Sequence, residues 1–239
     1  MALRRVVITG TSPLARGLAV GLIDRGATVA VLAPDASAIA VPGVTPVDCG
    51  FVSENQIAAA LATAEGGLGG IDQVVHTWLA PSVVVPHVLV ELDEAAWIHG
   101  CERSMEAAWW LARRVVTPLT ATHGSMVCVV PTVGMSGGAQ FSMLAATAEA
   151  MRVLMKACGR QWGLVGITAN TLAAAPNHWV TDDEADALTR SVSLSKPAFG
   201  TPGDPAADLA PLVEMLADPG AHFLTAGTVV ADGGIWMGL

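Results

Sequence analysis

The sequence predicts an α/β protein, a single doubly wound parallel sheet with helices on both faces. Three observations predict it. Short apolar runs of strand length alternate with longer stretches of helical spacing from one end of the chain to the other. The first run, "RRVVITG", ends in Gly10 and passes at once into a helical stretch, as the opening of a βαβ unit does. The 239 residues contain no internal repeat, low-complexity tract or linker, so a single domain over 1–239 is expected.

The elements follow in order. After "RRVVITG", the stretch "PLARGLAVGLIDRGA" carries helical spacing and Gly26 stands near its C-cap position. "TVAVLA" is a second strand, and "VTPVDCG" a third after a loop with Pro and Gly. "NQIAAALATAEGGLGG" is a helix ending in glycines, and "IDQVVHTWLA" a fourth strand. A long helix is expected from about Asp93 to Val116, then the strand "SMVCVV", a helix through "FSMLAATAEAMRVLMKACGRQWG", and the strand "GITANTLAA". The helix "PAADLAPLVEMLA" and the strand "GTVVADGG" close the pattern.

Composition narrows the function. Hydrophobic residues make up 52% of the chain and charged residues 14%, more apolar material than a solitary domain needs. The formal net charge of −9 excludes a nucleic-acid partner, which would require clustered Lys and Arg. Cys49, Cys101, Cys128 and Cys158 are far apart and form no Cys-x-x-Cys pair, so reduced core thiols are expected. "MALRR" leads straight into a strand pattern and no run of about 18 apolar residues occurs. No membrane partner and a cytoplasmic location are therefore expected.

The order and spacing of these pieces resembles the short-chain dehydrogenase/reductase family over essentially the whole chain, with its Rossmann-like fold. "VVITGTSPLARGLAVGLIDRGATVAV" is similar to the family's Thr-Gly-x-x-x-Gly-x-Gly opening, and "VDCG" to its adenine-touching Asp. "IDQVVHTWLA" stands in place of its Asn-Asn-Ala-Gly strand, and "DPAADLAPLVEMLADPGAHFLTAGTVVADGG" resembles its last helix, strand and Asp-Gly-Gly. The resemblance implies an NAD(P)-dependent oxidoreductase, but the residues depart from it where the chemistry lies. Gly10 and Asp48 remain as vestiges of the cofactor site. The next two glycines fall on Pro13 or Leu14 and on Ala15 or Arg16, in a loop one residue short. Proline removes an N–H donor, and larger side chains occupy the space of a pyrophosphate. Ala33 and Pro34 stand where the family places an Asp or Arg for the cofactor ribose, and Asp35 comes a residue or two late.

The family's reactive positions fall on Ser104 (Asn), Pro131 (Ser), Leu144 (Tyr) and Ala148 (Lys). Tyrosine is absent from the whole chain. Leucine, alanine and proline can neither give nor take a proton, so about 10²- to 10⁴-fold of acid–base catalysis is missing at these positions. His76 aligns with the cofactor cleft, and His178 with Asp182 and Asp183 lies in the loop over the family's active site. A packed or capping role competes with catalysis for the first, and a solvated loop for the second. His87, His99, His123 and His222 have no metal-ligand spacing, and Ser125 has no nucleophile-elbow context, so no metal site or elbow is expected.

Two readings remain. In the first, the chain binds no cofactor itself and is a non-catalytic subunit of a hetero-oligomer, expected as a tetramer, with NAD held by a related active subunit. The paired active and inactive subunits of some CoA-ester dehydrogenases of the family, such as the 2-(hydroxybenzyl)succinyl-CoA enzyme of anaerobic toluene degradation, resemble this arrangement. In the second, a reductase or lyase uses the His178/Asp182 loop. Helix periodicity favours the first. At about 100° per residue, Leu144, Ala148, Met151, Met155, Cys158 and Trp162 form one apolar stripe, and Ala146, Ala150, Val153 and Ala157 a second on the opposite side. On the preceding helix, Trp97, Cys101, Ala108, Leu111 and Val115 make a core stripe, with Trp109 and Trp110 outside it among charged residues. Trp109, Trp110, Ala146, Ala150, Val153 and Ala157 are the expected interface, since the resemblance implies that these two helices pair with a neighbour's as a four-helix bundle.

Overall fold

In the computed structural model, which describes residues 4–180 and 197–237, the strands are β1 (Arg5–Thr9), β2 (Thr28–Ala33), β3 (Val44–Asp48), β4 (Gln73–His76), β5 (Ser125–Pro131), β6 (Thr168–Ala174) and β7 (Thr228–Ala231). They pair in parallel in the order β3-β2-β1-β4-β5-β6-β7. The chain winds outward from β1 in both directions, so β1 and β4 flank the switch point where a doubly wound sheet opens a crevice at its carboxyl end.

The side-chain alternation of the strands divides the core in two. Val7, Ala30, Val74, Met126 and Cys128 face one way, under α2 (Glu54–Leu68), α4 (Arg103–Thr122) and α6 (Ser142–Trp162). Val6, Ile8, Val31, Val75, Val127 and Leu172 face the other, under α1 (Pro13–Asp24) and α7 (Ala210–Met215). Two glycines let α1 lie close to the neck of α7. A Cβ on Gly17 would come within 2.7 Å of Pro205, and one on Gly21 within 2.7 Å of the Ala210 Cβ. The four cysteines are free and buried. No helix among the described residues is long and apolar enough to cross a membrane.

The long helix before β5 differs from its sequence pattern. It begins as a short turn, α3 (Glu94–Trp97), widens into a π-turn at Ile98–Glu102, and only then becomes α4. Its end lies beyond Pro118, at Thr122, where the Thr120 hydroxyl donates to the Val116 carbonyl at 2.7 Å. The wide turn shifts the helical phase. Trp97, expected in the core stripe, is therefore 37% exposed, while Cys101, Ala108, Leu111 and Val115 are buried. Trp110, expected outside the stripe, is half-buried and packs against the core under α4.

Candidate functional site

The crevice is built first from β1. Gly10 follows it with φ +96°, and its N–H donates to the Leu32 carbonyl at 2.8 Å. A Cβ here would lie 3.3 Å from the Thr77 hydroxyl and 3.4 Å from the Trp78 Cα, so both the dihedral and the close passage of β4 require glycine. At the N-terminus of α1, Ser12 caps the helix: its hydroxyl accepts from the Ala15 N–H at 3.3 Å and its carbonyl from the Arg16 N–H at 3.0 Å. Pro13 has no N–H. Of the donors that a helix N-terminus offers an anion, those of the first position and of Ala15 are thus gone, and the Leu14 and Ala15 side chains are buried.

The carboxyl ends of β1 and β4 are joined by side chains. Thr9 Oγ1 accepts from the N–H groups of Thr77 at 3.1 Å and Trp78 at 3.2 Å, and the Thr77 hydroxyl donates to the Thr9 carbonyl. Thr9 Oγ1 also lies 2.9 Å from His76 Nδ1. With two donors already on the oxygen, the threonine hydrogen goes to Nδ1, which leaves the ring proton on Nε2. His76 is fully buried, and that burial holds its pKa at about 4. It is a neutral packing residue at working pH. Trp78 turns into the core and stacks on Phe51 with ring centroids 4.6 Å apart. Phe51 adopts φ +53°, a left-handed conformation uncommon for so large a side chain.

Across the crevice lies the turn Pro176–Trp179, which follows β6. The Trp179 indole is buried in the same cluster as Leu14 and Ala15, and its Nε1–H donates to the Thr77 carbonyl at 3.0 Å. His178 is buried too, with Nε2 3.1 Å from the Pro202 carbonyl, and burial lowers its pKa. Its expected companions Asp182 and Asp183 lie outside the described residues. Toward β2 the polar groups are also engaged internally. Asp48 accepts from the Ala36 N–H at 3.1 Å, Arg16 donates to the Ala38 carbonyl at 3.0 Å, and Asp35 accepts from the Ser37 hydroxyl at 2.7 Å.

The positions that the resemblance makes reactive are packed into the fold. Pro131 is the last residue of β5, paired with Ala174. Leu144 and Ala148 are buried on the inner side of α6 with Met151, Met155, Cys158 and Trp162. The short helix α5 (Val133–Ser136) presses on them: a Cβ on Gly134 would lie 2.9 Å from the Ala148 Cβ. Ser104 Oγ accepts from the Ala80 N–H at 3.0 Å and donates to the Gly100 carbonyl at 2.8 Å, joining α4 to the segment after β4. Trp179, Thr9, Thr77 and Arg16 were not singled out by the sequence pattern for these roles. The one signal was a Trp closing the proline turn that follows β6.

On the outer side of these helices, Ala146, Val153 and Ala157 are exposed and Ala150 half-buried. Trp109 is 47% exposed, with the Arg113 guanidinium 5.2 Å from its ring. Glu54 binds Arg113 at 3.1 Å and Arg114 at 2.9 Å, tying α4 to α2. Among the described residues, no group of three His, Cys, Asp or Glu side chains is placed to hold a metal ion.

Comparison with known proteins agrees with this architecture. A family model described as enoyl-(acyl carrier protein) reductase matches residues 9–236. The 3-oxoacyl-[acyl-carrier-protein] reductase FabG of Vibrio harveyi is 25% identical over 242 residues, covering 97% of this chain and 96% of its own. That of Pseudomonas aeruginosa is 27% identical over 188 residues, covering 77% and 74%. Among solved structures, 3-ketoacyl-(acyl-carrier-protein) reductase from Brucella melitensis complexed with NADH superposes with a TM-score of 0.82 at 17% identity, over 97% of this chain and 98% of that one. The TT0495 protein from Thermus thermophilus gives 0.79 at 20% identity, over 97% and 98%. At those identities the structures speak for the fold, and the family match over nearly the full length speaks for descent: the chain belongs to the short-chain dehydrogenase/reductase family.

Proposed function

We propose that this chain is a non-catalytic, structural or regulatory subunit of a heteromeric NAD-dependent dehydrogenase of its family. The observation that carries the reading is the burial of Leu144 and Ala148 in hydrocarbon, where the resemblance calls for a proton donor and the cation beside it. The crevice supports the same reading. As folded it does not suit a dinucleotide: the buried Trp179 indole is bonded to the Thr77 carbonyl, Ser12 caps α1 in place of a phosphate, and Asp48 and Arg16 serve the chain's own backbone. The chain then leaves NAD to an active partner. The outer faces of α4 and α6, with Trp109, Ala146, Ala150, Val153 and Ala157, are the surfaces offered to that partner in a mixed tetramer.

For the partner's substrate we favour an acyl thioester. The Vibrio harveyi and Pseudomonas aeruginosa relatives carry names of 3-oxoacyl-[acyl-carrier-protein] reductases, and a hydroxyacyl-CoA of the 2-(hydroxybenzyl)succinyl-CoA type belongs to the same chemical class. The test has two arms. The isolated chain is titrated calorimetrically with NADH and NADPH and assayed with acetoacetyl-CoA. It is then co-expressed with an active dehydrogenase of the family from its source. The expected result is no low-micromolar nucleotide binding and no turnover alone, with co-purification and turnover that depends on the partner's own tyrosine. Turnover by the isolated chain would overturn the reading.

A further inference from the structure

We infer that, in the absence of the active partner, the outer face of α4 closes on a second copy of this chain, in an isologous antiparallel contact with Trp109 at its centre. The order of charge along the helix carries this. Glu106, Trp109 and Arg113 are all exposed, and at about 100° per residue they lie within about 60° of one another around the helix. Glu102 stands one turn before them, exposed as well, and Arg114 stands beside Arg113. The stripe is therefore acidic at its N-terminal end, aromatic in the middle and basic at its C-terminal end. No ion pair among the described residues engages Glu102 or Glu106. Arg113 and Arg114 share one carboxylate, that of Glu54, so the basic end keeps an excess of positive charge. Arg103, beside the acidic end, is held by the Gly50 carbonyl at 3.1 Å.

A stripe of this order is complementary to itself when reversed. About a two-fold axis passing between positions 109 and 110, Glu106 of each copy meets Arg113 of the other, and Glu102 meets the exposed Thr117. The two Trp109 rings then lie side by side at the axis. Glu106 and Arg113 are about 10.5 Å apart along the helix, so both symmetric pairs form in one contact. A parallel pairing would set like charges against each other. The surface around the acidic end suits the arriving arginine. A cavity of about 260 Å³ opens beside Glu102 and Glu106, with Phe51, Val52 and Ile98 among its walls, so the arginine stem finds apolar cover on its way to the carboxylate. A tryptophan ringed by charge pairs has the anatomy of an interface core and rim, and the pairs set the register. This goes beyond the subunit reading: it states what covers the face when the active relative is absent, and the relative would displace one copy.

The isolated chain is studied by analytical ultracentrifugation, together with Glu106→Arg, Arg113→Glu and an equimolar mixture of the two. The expected result is a wild-type dimer at about 100 µM. Each variant alone should self-associate at least about tenfold more weakly, since both symmetric pairs become repulsive. The mixture should restore the dimer, because positions 106 and 113 then carry opposite charges in both pairs. A wild-type chain that is monomeric at this concentration would overturn the inference. So would a single reversal that dimerises as tightly as wild type, or a mixture of folded variants that stays monomeric. Arg113 also binds Glu54. Should Arg113→Glu lose its native circular dichroism, Glu106→Arg alone decides: a tenfold loss supports the contact and an unchanged dimer overturns it. No partner and no turnover enter these readouts. A monomeric chain leaves the subunit reading standing, and turnover by the isolated chain would overturn that reading without touching this one.

Discussion

Thr9 Oγ1 lies 2.9 Å from His76 Nδ1, in full burial between β1 and β4. The bond fixes a neutral imidazole, because the nitrogen that would take a second proton already accepts one hydrogen bond. Burial lowers the folded pKa from 6.5 to about 4. Below pH 6.5 the unfolded chain takes up a proton that the folded chain refuses, so the stability is whole above pH 6.5. It is lost progressively as pH falls toward 4, by about 3 kcal/mol. His178, also lowered by burial, adds in the same direction. Urea denaturation between pH 7.5 and 4.5 checks this. His76→Asn, which keeps a polar partner for Thr9 and does not titrate, should flatten the profile in this range. An unchanged profile would show that His76 is not the group responsible.

Rebuilding the reactive pair should fail. Leu144→Tyr with Ala148→Lys places a phenol and an ammonium where the structure has core packing. Gly134 passes so near that a Cβ on it would lie 2.9 Å from the Ala148 Cβ, which leaves a lysine stem no path without displacing α5. Overpacking costs about 1–3 kcal/mol, and the buried charge adds to it. The expected outcome is a lower melting temperature and no cofactor-dependent turnover. Measurable turnover in a stopped-flow assay would mean the scaffold is still poised for chemistry.

Assembly should depend on the outer faces of α4 and α6. Ala150→Glu places a charge in the proposed contact, at several kcal/mol unless it is paired. Trp109→Ala removes the exposed ring beside Arg113. Both should abolish co-elution with the active partner in size exclusion while circular dichroism stays native. Trp110→Ala is the contrasting case: because Trp110 packs on the core, its loss should lower stability by about 2 kcal/mol. Ala150→Glu that still co-elutes fully would sink the interface.

Two glycine substitutions should have opposite signs. Gly21→Ala drives a methyl against the Ala206 carbonyl and the Ala210 Cβ, and should destabilise by about 3 kcal/mol. Gly66 lies within α2 with nothing near its Cβ position, so Gly66→Ala should stabilise by about 0.5–1 kcal/mol. Chemical denaturation of the two variants decides whether the neck of α7 is held as closely as described.

Periodicity in the sequence was enough to determine the strands, the alternation with helices and the inward stripe from Leu144 to Trp162, because each depends on local spacing set against a flat sheet. It also determined that Leu144 and Ala148 cannot move protons, since that is a property of the side chains themselves. The phase of the helix at Trp97 was decided by tertiary structure, because the π-turn at Ile98–Glu102 changes the angle per residue between it and α4 and a fixed period cannot register it. Asp48, Arg16 and Ser104 could be read from the sequence as vestiges or replacements, but their partners Ala36, Ala38 and Ala80 are backbone groups that only folding brings within reach. The bond between Trp179 and Thr77 belongs to the same class. Thr77 and Trp179 stand 102 positions apart in the chain, and no local pattern encodes a hydrogen bond made where β4 and the turn after β6 meet at the carboxyl edge of the sheet.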